Sequence, residues 1–123
     1  MNPRHSLATN PTIFGKILRN EIPAKVVFEN DYVLAIHDIH PEAPIHIVII
    51  SKQHLIGLQD ATPDDSNFLG QLMASIPDVA KAAGVLESGF RIVINAGPDS
   101  QGEVPHLHLH LLGGKPLGAK ILG

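Results

Sequence analysis

Residues 106–112 read His-Leu-His-Leu-His-Leu-Leu, and the period of two along an extended chain sets His106, His108 and His110 on one face and leucines on the other. Core packing alone gives no reason for that pattern. Same-face residues of a strand lie about 6.6 to 7 Å apart at Cα, so neighbouring rings share surroundings while each keeps its own task. Three readings fit such a row: strand histidines that merely face solvent, ligands of a zinc ion completed by a further donor, or nucleophilic and acid/base catalysis. The third suits an imidazole near pH 7, where one nitrogen can be fixed by a hydrogen bond while the other reacts.

Phosphorus is a natural electrophile for a histidine nucleophile, and a phosphate substrate also needs donors placed for its developing charge. The loop running into the histidines, Asn95-Ala96-Gly97-Pro98-Asp99-Ser100-Gln101-Gly102-Glu103-Val104, can present amide N–H groups and Asn95 to an anion. Taken alone, such a loop is an ordinary connection. Eight histidines in 123 residues are about three times ordinary usage. His46 interrupts the apolar run 45–50, and a buried imidazole needs a partner, so it reads as support beside the row. His5, His40 and His54 read as surface residues.

These side chains need a scaffold, and the local signals supply one. Ile13, Phe14, Ile17 and Leu18 recur at helical spacing and Pro23 follows, which predicts a helix of about two turns. Residues 25–29 and 32–38 flank Asn30-Asp31 and predict a hairpin. The branched run 45–50 predicts a central strand, and 90–95 and 106–112 predict two more. Thr62-Pro63-Asp64-Asp65 opens a long helix from about 63 to 84, kinked by Pro77. Strands cluster at both ends of the chain without βαβ alternation, so the fold class is α+β with a five-stranded antiparallel sheet, one short helix and one long helix. Residues 1–11 read as a flexible leader and 12–123 as a single domain.

Composition bounds the chemistry. The absence of cysteine excludes disulfides, thiolate metal sites and a cysteine nucleophile. A net charge of −3 argues against coating nucleic acid or an anionic membrane. Apolar runs fall short of the roughly 20 residues that span a bilayer, and the start lacks a secretory pattern. The expectation is therefore a cytoplasmic domain, with no nucleic-acid or membrane partner.

The His-x-His-x-His run followed by Gly113-Gly114, with Ile13-Phe14-Gly15-Lys16-Ile17 and His37-Asp38-Ile39, resembles the histidine triad (HIT) superfamily in its nucleoside phosphoramidase branch, over about residues 12–118. The resemblance implies a hydrolase that cleaves purine nucleoside 5′-phosphoramidates or acyl-nucleotides to the nucleoside monophosphate. It implies attack by His108 on the α-phosphorus, His110 at the phosphate and leaving group, and His106 and His46 in supporting hydrogen bonds. It further implies Ile13, Phe14, Ile17, His37 and Ile39 around the base, Asp38 at the ribose hydroxyls, and Asn95, Gln101, Gly102, Glu103 and Val104 at the phosphate. No metal or cofactor is implied, and a homodimer with joined sheets is. The apolar strand 90–95 and the helix bearing Leu69, Leu72 and Met73 are its expected contact surfaces. The chain departs from the family pattern at Gln101-Gly102, Glu103, Pro105 and the tail 115–123. A nucleotide-sensing module of the same fold and a histidine-ligated metal hydrolase are the competing readings.

Overall fold

Thr12 begins the first helix by accepting the Gly15 N–H on its hydroxyl at 3.0 Å, which caps α1 (Ile13–Leu18). Helix α1 buries Ile17 against Leu34, Ile36, Val48 and Ile50, with Phe14 and Leu18 packed alongside. This computed structural model describes residues 10–102 and 104–119. Residues 1–9 of the expected leader, together with Glu103 and the last four residues of the tail, lie outside the described residues. Asn10, read from the sequence as leader, is fully buried.

Asn30 turns the chain between β1 (Val26–Glu29) and β2 (Val33–His37), its side-chain oxygen accepting the N–H groups of Tyr32 and Val33. This is the Asx turn that the hairpin signal anticipated. β3 (Ile45–Ser51) follows, then β4 (Phe90–Val93) and β5 (His108–Gly113). All pairings are antiparallel and the order is β1-β2-β3-β5-β4, which makes β3 central as its branched composition predicts.

The sheet is covered on both faces. Val33, Ala35, Ile47, Ile49, Leu109 and Leu111 pack with the helices that follow β3, while the alternate residues Leu34, Ile36, Val48 and Ile50 pack under α1. Those helices begin at Thr62, which forms a reciprocal capping box with Asp65 around a 3₁₀ turn at Pro63–Asp65. The single long helix of the sequence reading is two, α2 (Ser66–Ala74) and α3 (Ile76–Ala82). The break falls at Ser75 because Pro77 has no N–H to offer the carbonyl of Met73, four residues back. Leu72, expected at a surface between copies, is buried in the chain's own core, whereas Met73 is 53% exposed. Among the described residues no helix is long and apolar enough to cross a membrane.

One element boundary bears directly on chemistry. The histidine strand starts at His108, two residues later than its alternation suggests, and His106 precedes it. β3 ends at Ser51, so the last registered pair is Ile50 with His108, and His106 has no strand opposite it. The fourth strand likewise stops at Val93 rather than Asn95.

Candidate functional site

Sheet register brings His46 and His110 together. His110 lies opposite Val48 and His46 opposite Leu112, so the two histidines are diagonal neighbours on one face of β3 and β5, a spacing that aromatic side chains can bridge. Their rings meet at 5.1 Å between centroids, with His46 Nε2 2.9 Å from His110 Nδ1. The Glu42 N–H donates to His46 Nδ1 at 3.0 Å, which makes that nitrogen an acceptor and leaves the His46 proton on Nε2. That proton is donated to His110 Nδ1, and neutral His110 must then carry its own on Nε2. Asp38 sits beside this relay, with Oδ2 3.4 Å from His46 Nε2 and Oδ1 accepting the His40 N–H.

A second set of bonds fixes the other two histidines. His106 is fully buried, its Nε2–H donating to the Ser51 carbonyl at 2.7 Å while Nδ1 faces the Asn10 amide nitrogen at 2.6 Å. The His106 carbonyl in turn accepts from His108 Nδ1–H at 2.6 Å. His108 therefore keeps the lone pair on Nε2. Its ring lies 4.7 Å from that of Phe14 and 5.2 Å from that of His110, both edge to face.

Burial favours the neutral form of the three triad imidazoles. His106 is pushed down to about 4 by desolvation, which outweighs the hydrogen bond to Ser51. His108 is lowered by desolvation too, against the pull of the His106 carbonyl and the Asp38 charge. His110 is lowered by desolvation and by neighbouring His108 and His46, with Asp38 and Glu42 opposing. A neutral imidazole with a free nitrogen lone pair can act as a nucleophile or general base, whereas acting as a general acid requires the ring to gain a second proton.

The arrangement is poorly suited to a metal. Both ring nitrogens of His106 are engaged, so the three triad lone pairs do not converge. Asp38, His46 and His110 do bring one donor atom each within 4.8 Å of one another. The Glu42 N–H, however, leaves His46 Nε2 with a proton where a ligand needs a lone pair.

The remaining expected site residues are less gathered. Ile17 is buried and Phe14 half-buried, whereas Ile13 and Ile39 are 47% and 83% exposed and His37 is exposed at the end of β2. A hollow of about 360 Å³ between α1 and β1 is lined by Ile17 but by none of Phe14, His37 or Asp38. In the loop, a Cβ on Gly102 would meet Asn95 Cβ at 3.0 Å, so these two expected phosphate residues are neighbours. Gln101 is exposed with φ +58°, and the Val104 carbonyl accepts the His106 N–H at 2.8 Å. Glu103 lies outside the described residues.

Three residues that touch the triad carry no signal in the sequence. Asn10 and Ser51 reach His106 from 96 and 55 residues away. His54, expected at the surface, is buried and stacks on His106 at 4.8 Å, with Nε2 bonded to the Pro105 carbonyl.

Comparison with known proteins identifies the family of the fold. The HIT domain family model matches residues 19–117. Adenylylsulfatase HINT1 of Arabidopsis thaliana is 48% identical over 110 residues, covering 88% of this chain and 74% of that protein. Purine nucleoside phosphoramidase of Escherichia coli is 40% identical over 107 residues, covering 87% and 90%. A crystal structure of a HIT family hydrolase from Legionella pneumophila superposes with a TM-score of 0.82 at 42% identity, over 88% of this chain and 96% of that one. With the family model spanning most of the chain and relatives of 40–48% identity covering most of it, the chain belongs to the HIT domain family.

Proposed function

We propose that this protein is a hydrolase that cleaves purine nucleoside 5′-phosphoramidates or acyl-nucleotides, releasing the nucleoside monophosphate. The observation that carries the reading is the fixed pair of protonation states: His108 with its lone pair on Nε2 and His110 with its proton there. The names of two relatives, purine nucleoside phosphoramidase and adenylylsulfatase, support the substrate class.

In this reading His108 Nε2 attacks the α-phosphorus as the phosphorus–nitrogen bond breaks, and His110, once it has gained a second proton from solvent, gives its Nε2–H to the departing amine and is left neutral. Water then attacks the nucleotidyl-histidine, His110 takes a proton from it, and the phosphorus–Nε2 bond breaks to release the monophosphate. Asp38 takes the ribose hydroxyls, as a carboxylate can accept from both. Ile13, Phe14, Ile17, His37 and Ile39 take the base, and Asn95 with Gln101, Gly102, Glu103 and Val104 the phosphate. The working unit is a homodimer.

Adenosine 5′-phosphoramidate offered with and without EDTA tests the proposal. The expected result is AMP release unaffected by chelator, abolished in His108→Ala while nucleotide affinity is retained. Comparable turnover by His108→Ala overturns the nucleophile assignment. Nucleotide binding with no AMP release from the unmodified protein identifies a sensing module instead.

A further inference from the structure

The buried amide of Asn10 has no part in the reaction just described, yet it makes the closest contact that His106 receives from another side chain. Its orientation is determined. Asn10 Oδ1 accepts the Thr12 N–H at 2.9 Å, so the amide nitrogen must be the atom facing His106 Nδ1. The residue is clamped further, since Arg19 Nη1 donates to its carbonyl at 2.6 Å. Gly15 supplies the space, because a Cβ there would lie 2.6 Å from Asn10 Cγ. A glycine inside a helix is disfavoured by conformational entropy, and here the close approach of Asn10 accounts for it.

We infer that Asn10 is a positioning residue for the catalytic centre: its amide N–H holds His106 in the Nε2–H tautomer, and His106 in turn holds the proton of His108 on Nδ1. The steps follow from donor and acceptor counting. An amide NH₂ only donates, so His106 Nδ1 must accept and its proton must sit on Nε2, where the Ser51 carbonyl receives it. Both bonds fix the ring and the backbone carbonyl that takes the His108 Nδ1–H. The nucleophilic lone pair on His108 Nε2 is thus set from a residue beyond the edge of the family match at residue 19. Among the described residues, the charged and titratable groups around His106 include His54 stacked on its face, His108 two residues along, and Arg19 on the Asn10 carbonyl.

This inference rests on the proposed role of His108, and its test separates the two. Long-range ¹H–¹⁵N spectra of the unmodified protein read the ring nitrogens without substrate. The expected result is a bare Nδ1 and protonated Nε2 for His106, unchanged between pH 5 and 8, and a protonated Nδ1 for His108. Asn10→Asp keeps the shape but presents only acceptors, so His106 gains a proton on Nδ1 and titrates between pH 5 and 8. Turnover of that variant is expected to fall at least about tenfold at pH 7, as wrong-tautomer variants of other catalytic imidazoles do, and to gain a pH dependence absent from Asn10→Ala. A His106 that titrates near its ordinary value in the unmodified protein, or that carries Nδ1–H, overturns the inference even if a variant fails to fold. So does a folded Asn10→Asp protein with unaltered His106 signals and pH profile. Correct tautomers in a protein that releases no AMP would instead sink the catalytic reading and leave Asn10 as a structural lock alone.

Discussion

Each imidazole of the site has its proton placed by its hydrogen-bond partners: Glu42 N–H for His46, His46 for His110, Asn10 and the Ser51 carbonyl for His106, and the His106 carbonyl for His108. Two pH dependences follow. His108 is held below its ordinary value chiefly by desolvation, so if it is the proposed nucleophile its unprotonated form persists below pH 6.5, and the acid limb of kcat/KM for a phosphoramidate is expected to have its midpoint below that value. For stability, His106 titrates at about 4 in the fold against 6.5 unfolded. Between those values the unfolded chain binds the proton and the native one does not, so acidification favours unfolding. The contribution is fully present above pH 6.5 and lost as pH falls through about 4, amounting to about 3 kcal/mol. Urea melts at pH 7.5 and 4.5 should show that loss, and a smaller one in His106→Gln, which has no imidazole to protonate.

At the scale of elements, α1 and the β5 terminus hold the histidines in place, and both do so at a glycine. Gly15→Ala would gain about 0.5–1 kcal/mol of helix propensity but force a Cβ to within 2.6–2.7 Å of Asn10. Overpacking costs about 1–3 kcal/mol, so the expected result is a lower Tm together with lower turnover as the Asn10 contact shifts. Gly114 has φ +91°, and a Cβ there would lie 2.9 Å from that of Pro44, just before the strand that carries His46. Gly114→Ala combines left-handed strain with a clash. It is expected to lower Tm measurably in a thermal melt, whereas Gly70→Ala, where nothing lies within 4 Å, should not.

At the scale of the whole molecule, the sheet ends at β1 and β4, and β4 is paired on one side only, to β5. Unpaired edges invite a second copy, and Met73 stands exposed on α2. We expect sedimentation equilibrium at micromolar concentration to return twice the 13.2 kDa chain mass. Met73→Lys is expected to move it toward one chain mass with little effect on the thermal melt of the folded monomer, since more than half of the side chain is exposed. A single-chain mass for the unmodified protein would defeat the dimer.

The sequence by itself determined what short-range periodicity and capping chemistry encode. The alternation 107–111 places its leucines in the core under α2 and α3, Asn30 turns the hairpin, Thr62 caps the helical segment, and 45–50 becomes the central strand. That His46 supports the histidine row was legible too, because a polar ring in an apolar strand must find a partner; that the partner is His110 follows from the register of β3 and β5. The tertiary structure alone decided the rest. Period two runs unbroken through His106, but a strand needs a paired neighbour, and β3 ends at Ser51 before it can supply one. His106 is held instead by Asn10, Ser51 and His54, and contacts across 50 to 96 residues leave no mark in a local pattern. A buried Asn followed by Pro reads as leader in the sequence, since only the folded chain shows which donor the His106 imidazole lacks.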